Sequence, residues 1–100
     1  MNVVFSYGTL TEKFPSAVSE KARLKCSCKL DSYGIYPALI ETKDEMNIIA
    51  GDIIYISDKE LEQADYYEGH PKLYKRIKKD VVLDDGSSVL AWVYFLVKKS

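Results

Sequence analysis

The sequence predicts an α+β fold in which six short strands and two short helices form a small barrel. The 100 residues are too few to divide into two pieces that each bury a stable core, so one domain over 1–100 is expected. Several runs are rich in β-branched and aromatic residues, and turn-forming residues separate them. Closing the strands into a barrel would remove exposed sheet edges and leave a mouth where loops converge.

Four strands are predicted in the first half of the chain, over 3–7, 22–33, 38–40 and 48–56. The first is an apolar run bounded by Gly8, and the second alternates apolar and polar residues, as a strand with one solvated face does. The polar stretch 41–47 is predicted to be a loop. Between the first two strands, Pro15 is compatible with one short helix within 11–20.

One helix and two strands are predicted in the second half. A capping-box pattern begins the helix after Ser57, and Gly69 ends it, so Glu68 should lie in the last turn. Strands follow over 74–83 and 89–97, and Asp85-Gly86 between them predicts a hairpin. The last run has no polar alternation, so we expect a central strand covered on both faces.

Composition and charge disfavour several classes of partner. The 14 basic and 15 acidic residues give a formal net charge of -1, so no overall field attracts nucleic acid. The local basic cluster at 72–79 is interleaved with apolar residues and is interpreted as a solvated strand face. No apolar run approaches the roughly 20 residues that span a bilayer, and no secretory signal is visible. We therefore expect a soluble, cytoplasmic protein that binds neither membrane nor nucleic acid.

The chain contains two cysteines, Cys26 and Cys28, and one histidine, His70. At i, i+2 in a strand the two thiols leave the same face, and a disulfide between them would need unusual geometry. Metal binding would require further soft ligands beyond the single imidazole. The pair is therefore interpreted as two reduced, half-buried thiols, and no metal or other cofactor is expected.

Two stretches concentrate the candidate functional residues. In 5–10, an apolar strand ends in a glycine turn, where Gly8 lets a ligand approach and the main-chain N–H groups of residues 7–10 can bind an anion or carbonyl oxygen. In 65–76, Glu68 lies among tyrosines where the helix ends, and partial desolvation can raise its pKa and make it a general base.

Each of these residues also has a purely structural interpretation. Glu68 can be a solvated charge at a helix end, where the helix dipole disfavours it only slightly. Tyr7, Tyr36 and Tyr74 can cover the core with their rings and leave their hydroxyls in water. His70 fits an exposed loop histidine, and Arg76 is expected to pair with an acidic neighbour.

The order of four motifs resembles the gamma-glutamylcyclotransferase-like superfamily, and most closely its gamma-glutamylamine cyclotransferase and AIG2-like branch. The motifs are Tyr7-Gly8-Thr9-Leu10, Gly34-x-Tyr36-Pro37-Ala38-Leu39, Gly51-Asp52-Ile53-Ile54-Tyr55 and Glu68-Gly69-x-Pro71-x-Leu73-Tyr74-x-Arg76, and the resemblance ends with Ala91-Trp92-Val93-Tyr94. It implies a small mixed, mainly antiparallel barrel flanked by helices. Glu68 then falls on the catalytic glutamate of the family.

The resemblance also implies an activity and a substrate site. The reaction is cyclisation of the glutamyl part of γ-glutamyl amines or amides to 5-oxoproline with release of the amine, and Glu68 acts as general acid/base. The substrate-binding residues are expected to be Tyr7, Gly8, Thr9, Leu10, Tyr36 and Tyr74. Two alternatives stay open: a non-catalytic module that binds a small carboxylate or amide, and a structural barrel without a ligand. The leaving amine and the oligomeric state are not predicted.

Overall fold

The computed structural model describes residues 1–97, and their strands close into a barrel of five strands. The elements in chain order are β1 (Asn2–Ser6), α1 (Thr9–Lys13), a 3-10 turn (Pro15–Ala17), β2 (Val18–Tyr33), β3 (Tyr36–Ile56), α2 (Asp58–Glu68), β4 (Tyr74–Leu83) and β5 (Ser88–Leu96). The strand order is β1-β3-β2-β4-β5. Neighbouring strands are antiparallel except β5 and β1, which run parallel and complete the barrel. The predicted mixed barrel with two helices is confirmed.

The prediction of six strands is wrong because the predicted strands 38–40 and 48–56 both belong to β3. This strand pairs with β2 from Tyr33 opposite Tyr36 at the turn to Val18 opposite Ile54. Cys28 lies opposite Glu41, whereas the preceding Ser27 lies opposite Met46. The polar residues 42–45 therefore bulge out of the ladder without ending the strand. The helix expected within 11–20 is also displaced, since α1 begins at Thr9 and Pro15 begins the 3-10 turn.

Buried side chains form two layers that follow the alternation of the strands. One layer fills the barrel interior and includes Phe5, Leu24, Leu39, Ile53, Val93 and Phe95. The second packs the barrel wall against the helices and includes Val4, Leu10, Ile54, Ile56, Leu61 and Tyr94. Consecutive residues 93–95 of β5 are all buried, so this part of the strand has two covered faces as expected, whereas Leu90 in its first half is exposed.

Cys26 and Cys28 form a disulfide, so the interpretation as reduced thiols is wrong. Their side chains leave the same face of β2, as expected, and their Cα atoms are 5.4 Å apart. A regular strand would separate them by about 6.6 Å, because each residue rises about 3.3 Å. The observed 5.4 Å is close to the commonest disulfide spacing of about 5.5–6 Å, and the pair lies at the register shift between Ser27 and Cys28, opposite the bulge of β3.

The ends of α2 agree with the sequence signals. Ser57 Oγ accepts a hydrogen bond from the N–H of Glu60, and the Glu60 carboxylate accepts one from the N–H of Ser57. At the other end Gly69 has a φ of 68°, the left-handed conformation that commonly ends a helix. Glu68 is therefore the last residue of α2, and a cis His70-Pro71 bond follows. Within residues 1–97 the helices are too short and too polar to span a membrane.

Candidate active site

A cavity of about 160 Å³ opens where the loop after β1, the β2–β3 turn and the end of α2 meet. It is smaller than the roughly 300–1,000 Å³ of sites for drug-sized ligands. Its walls are formed by Phe5, Ser6, Tyr7, Gly8, Thr9, Leu10, Tyr33, Tyr36, Pro37, Tyr67, Glu68, Leu73, Tyr74 and Tyr94. All seven site residues that the sequence predicted line this one cavity. The structure thus brings the two predicted stretches together, while the roles of their residues stay predictions.

Glu68 faces this cavity from the last turn of α2. Burial raises the pKa of its carboxyl from the ordinary 4.5 to about 7. Within residues 1–97 no hydrogen bond or ion pair is made by this carboxylate, and its neighbours in the wall are mainly tyrosine rings and apolar groups. A carboxyl group with a pKa near neutrality can both accept and return a proton at physiological pH.

The loop that faces Glu68 is held by short-range hydrogen bonds. The Thr11 hydroxyl donates to Ser6 Oγ at 2.6 Å, and the Thr11 N–H donates to the Gly8 carbonyl at 3.2 Å. Among the described residues, the main-chain N–H groups of Gly8, Thr9 and Leu10 donate no hydrogen bond. These donors can therefore bind a carbonyl or carboxylate oxygen of a ligand.

Gly8 is required by a close approach between this loop and the start of β3. A Cβ atom added at Gly8 would lie 2.5 Å from Cγ of Pro37, a distance that real Cβ contacts do not show. Pro37 belongs to the wall of the cavity beside Tyr36. The glycine therefore lets the loop and the β2–β3 turn share one wall, and any side chain would push them apart.

The three predicted tyrosines contribute differently to the cavity. The Tyr7 hydroxyl donates to the carbonyl of Tyr94 at 2.6 Å and accepts from the N–H of Leu39 at 3.3 Å, so it joins the loop after β1 to β3 and β5. Tyr74 donates a long hydrogen bond of 3.4 Å to the Pro37 carbonyl. Burial raises the pKa of Tyr7 and of Tyr74, which keeps both neutral. Tyr36 is half-exposed at the mouth.

A polar cluster behind Glu68 was missed as a unit by the sequence reasoning. Arg76 donates to both carboxylate oxygens of Asp65, at 2.8 and 3.1 Å, which confirms that Arg76 pairs with an acidic neighbour. The Tyr94 hydroxyl donates to the same carboxylate at 2.6 Å. Burial would raise the pKa of Asp65, but these hydrogen bonds outweigh it and hold the pKa below its usual value. Asp65 is therefore ionised at neutral pH.

Two further contacts complete this cluster. The Arg76 guanidinium stacks 4.2 Å above the centre of the Trp92 ring. The N–H of Arg76 donates to Nδ1 of His70 at 3.3 Å, so this half-buried histidine is part of the fold rather than the exposed loop residue that was expected. Only the short spacing from Asp65 to Glu68 and the tyrosine in the last strand hinted at the cluster. Among residues 1–97 no group of three or more His, Cys, Asp or Glu side chains is arranged to hold a metal ion.

Comparison with known proteins identifies the family. Residues 4–100 match the family model described as gamma-glutamyl cyclotransferase, AIG2-like. The protein named "Putative gamma-glutamylcyclotransferase" of Methanocaldococcus jannaschii is 33% identical over 103 residues, which cover 95% of this chain and 84% of that protein. The chain therefore belongs to the gamma-glutamyl cyclotransferase, AIG2-like family. This confirms the resemblance and, at the level of the family, the expected gamma-glutamylcyclotransferase type of enzyme.

Solved structures show the same fold. The crystal structure of an AIG2-like protein from Mus musculus matches with a TM-score of 0.80 at 19% identity, over 100% of this chain and 80% of that chain. A structure described as gamma-glutamyl cyclotransferase matches with a TM-score of 0.76 at 19% identity, over 99% of this chain and 68% of that chain. At this identity the likeness supports the barrel architecture and nothing finer.

Proposed function

We propose that the protein cyclises the glutamyl part of γ-glutamyl amines or amides to 5-oxoproline and releases the amine. One observation carries the proposal: Glu68, whose carboxyl pKa is about 7, and residues 8–10, whose main-chain N–H groups donate no hydrogen bond among the described residues, line the same small cavity. The name of the M. jannaschii relative and the family model support a γ-glutamyl substrate. Because no cofactor is needed for an intramolecular aminolysis, the chain's own residues can provide the chemistry.

The glutamyl group would bind through the loop after β1. Within the described part of the chain, the cavity wall contains no lysine or arginine, so the oxygen atoms of a substrate must find neutral donors. The free N–H groups of Gly8, Thr9 and Leu10 are such donors. Six tyrosines among the wall residues enclose the aliphatic part of the substrate and exclude water. A cavity of about 160 Å³ suits a group of this size better than a large peptide.

Glu68 would move the protons of the reaction. Its carboxylate removes a proton from the substrate α-ammonium, and the freed amine attacks the γ-carbonyl carbon. A C–N bond forms, and the negative charge passes to the carbonyl oxygen. The protonated Glu68 then gives its proton to the departing nitrogen, the original γ C–N bond breaks, and the carbonyl forms again as the amine leaves. The Glu68 carboxylate takes the second proton from the new ring nitrogen and passes it to the released amine or to solvent, so a neutral lactam nitrogen and 5-oxoproline result. Glu68 ends in its starting state.

Three physical effects make this arrangement sufficient. The nucleophile and the electrophile belong to one molecule, so the enzyme has only to hold them in a folded conformer. Main-chain N–H groups aimed at the developing oxyanion commonly stabilise it by about 2.7–4 kcal/mol per donor. General acid–base catalysis adds a factor of about 10²–10⁴, which is the contribution that we assign to Glu68.

The test is a mass-spectrometric screen of γ-glutamyl compounds for 5-oxoproline, run with the protein, with Glu68→Gln and with Glu62→Gln. Glu62 is exposed on the same helix, so its variant controls for the loss of one carboxylate. We expect Glu68→Gln to lose at least about 100-fold in turnover and Glu62→Gln to lose none. Turnover that is equally fast in Glu68→Gln would contradict the role of Glu68. Calorimetric binding of 5-oxoproline without any turnover would favour the alternative, a non-catalytic binding module.

A further inference from the structure

The ion pair between Asp65 and Arg76 joins α2, whose last residue is the proposed catalytic Glu68, to β4. Asp65 precedes Glu68 by three residues, a spacing that puts two side chains on one side of a helix. Both partners of the pair are about one-fifth exposed. The ion pair between Arg23 and Asp84 differs, because its 3.7 Å contact is more than half exposed. The partly buried Asp65–Arg76 pair is therefore less screened by water than the exposed Arg23–Asp84 pair.

We propose that Asp65, Arg76 and Tyr94 form a positioning unit that fixes the last turn of α2 against β4 and β5 and prevents the charge of Asp65 from acting on Glu68. The inference rests on the proposed function of Glu68 and extends it to residues that do not touch the reacting atoms. Asp65 and Arg76 do not line the cavity, while Tyr94 reaches it from β5.

The contacts of this unit converge on the end of α2 from two strands. Arg76 of β4 holds the Asp65 carboxylate with two hydrogen bonds, and its N–H holds the ring of His70 just after the helix. The N–H of His70 in turn donates to the main-chain carbonyl of Asp65 at 2.8 Å. The turn that carries Glu68 is thus tied on both sides, since Asp65 precedes it and His70 follows it.

Tyr94 connects this helix end to the loop after β1, the proposed substrate loop. Its hydroxyl donates to Asp65, and its main-chain carbonyl accepts the hydroxyl of Tyr7, the residue that precedes Gly8. One residue of β5 therefore contacts both halves of the proposed site. A displacement of β5 would move Glu68 relative to the main-chain N–H groups of residues 8–10. The reaction depends on holding the substrate in one folded conformer, so such a displacement should lower its rate.

The charges around Glu68 explain the second part of the proposal. The titratable groups that share the cavity wall with it are tyrosines from every packed element: Tyr7 after β1, Tyr33 and Tyr36 at the β2–β3 turn, Tyr67 on α2, Tyr74 on β4 and Tyr94 on β5. Lys13 lies outside this wall, 4.9 Å above the Tyr67 ring. Asp65, Arg76 and His70 form the cluster behind Glu68. Arg76, held over Trp92, therefore compensates the carboxylate of Asp65 at short range.

Two charge variants test the unit because they must shift Glu68 in opposite directions. Arg76→Gln leaves the Asp65 carboxylate uncompensated and should raise the pKa of Glu68, whereas Asp65→Asn leaves the Arg76 cation uncompensated and should lower it. Each shift should be roughly 0.5 pKa units or more. This is the size expected for a unit charge on, or paired with, a side chain three positions away on the same helix. The measurement is an NMR titration of the Glu68 side-chain carboxyl carbon, which does not depend on turnover. Arg23→Gln, which breaks the exposed pair, is the matched control and should shift nothing.

Two conservative variants separate charge from geometry. Arg76→Lys keeps the cation but loses the two-pronged hydrogen bond, so it should leave the pKa of Glu68 near its original value and still lower kcat about tenfold. Tyr94→Phe keeps the ring and the carbonyl that Tyr7 binds, and removes only the hydroxyl that reaches Asp65. It should lower kcat about tenfold with KM within twofold, because the substrate loop is untouched.

The outcomes distinguish the unit from the activity. Opposite shifts of the Glu68 titration in Arg76→Gln and Asp65→Asn support the unit, even if Glu68→Gln were to retain full turnover and so contradict the proposed function. Shifts of the same sign, or shifts no larger than that of Arg23→Gln, would mean that the cluster only stabilises the fold. Full kcat in both Arg76→Lys and Tyr94→Phe would likewise overturn the positioning role.

Discussion

Replacing Glu68 by Gln should make the protein more resistant to rising pH. The pKa of Glu68 is about 7 in the folded protein against an ordinary 4.5, so the folded state holds a proton that the unfolded chain has released between these values. The free energy of unfolding therefore falls as the pH rises from about 4.5 through about 7. At about 1.4 kcal/mol for each pKa unit, complete isolation from water would make this loss about 3 kcal/mol. Glu68 remains partly open to solvent through the cavity, so we expect about 1–2 kcal/mol.

The assay is urea unfolding at pH 5 and pH 8.5 of the protein, of Glu68→Gln and of Glu62→Gln. The amide introduced at position 68 also changes the free energy of unfolding, but by the same amount at both pH values. The change of the stability difference with pH therefore reports the titration of Glu68 alone. The difference in stability between Glu68→Gln and the unchanged protein should move by about 1–2 kcal/mol in favour of the variant at pH 8.5. Glu62→Gln, at an exposed position of the same helix, is the matched control for the loss of one carboxylate. A difference for Glu68→Gln that does not change with pH would refute the burial argument for its raised pKa.

Three further predictions follow from particular contacts. Tyr7→Phe removes two partly buried hydrogen bonds and should lower the free energy of unfolding, measured in urea, by about 1–3 kcal/mol. Tyr36→Phe, at a half-exposed ring, should change it by less than about 0.5 kcal/mol, and equal effects would contradict the structural role of the Tyr7 hydroxyl. Gly8→Ala should weaken substrate binding at least about tenfold by pushing the loop away from Pro37, and unchanged KM would show that the contact relaxes freely. Alkylation under denaturing conditions should modify Cys26 and Cys28 only after reduction, while modification without a reductant would contradict the disulfide.

Local signals predicted most of the elements correctly. Apolar alternation located β2, the capping box located the start of α2, and Gly69 located its end, because each of these signals depends on residues a few positions apart. The count of strands was wrong for the same reason. The polar run 41–47 has the composition of a loop, but the ladder to β2 continues on both sides of it and ejects residues 42–45 as a bulge. Long pairings of this kind are decided by the partner strand.

The candidate site was predictable in part. The glycine turn at Gly8 and the carboxylate at Glu68 each stand out in their own neighbourhood, and both line the cavity. The cluster behind Glu68 was not predicted, because the Tyr94 hydroxyl and the Asp65 carboxylate are separated by 29 residues in sequence and meet only when β5 lies beside α2. The disulfide was missed because the regular spacing of residues i and i+2 in a strand lies near the upper limit of disulfide geometry, and the register shift beside Cys28 depends on the pairing with β3.

The parallel contact between β1 and β5 has a consequence for how the molecule folds. Val4 pairs with Trp92, and the Tyr7 hydroxyl reaches a carbonyl 87 residues further along the chain. Such distant pairings are slow to form, because a long loop must close before any contact compensates the lost chain entropy, whereas the β2–β3 ribbon grows outward from its own tight turn. We therefore expect ligand binding to be among the last properties that a refolding chain recovers. It is also expected to be among the first that a partially opened molecule loses.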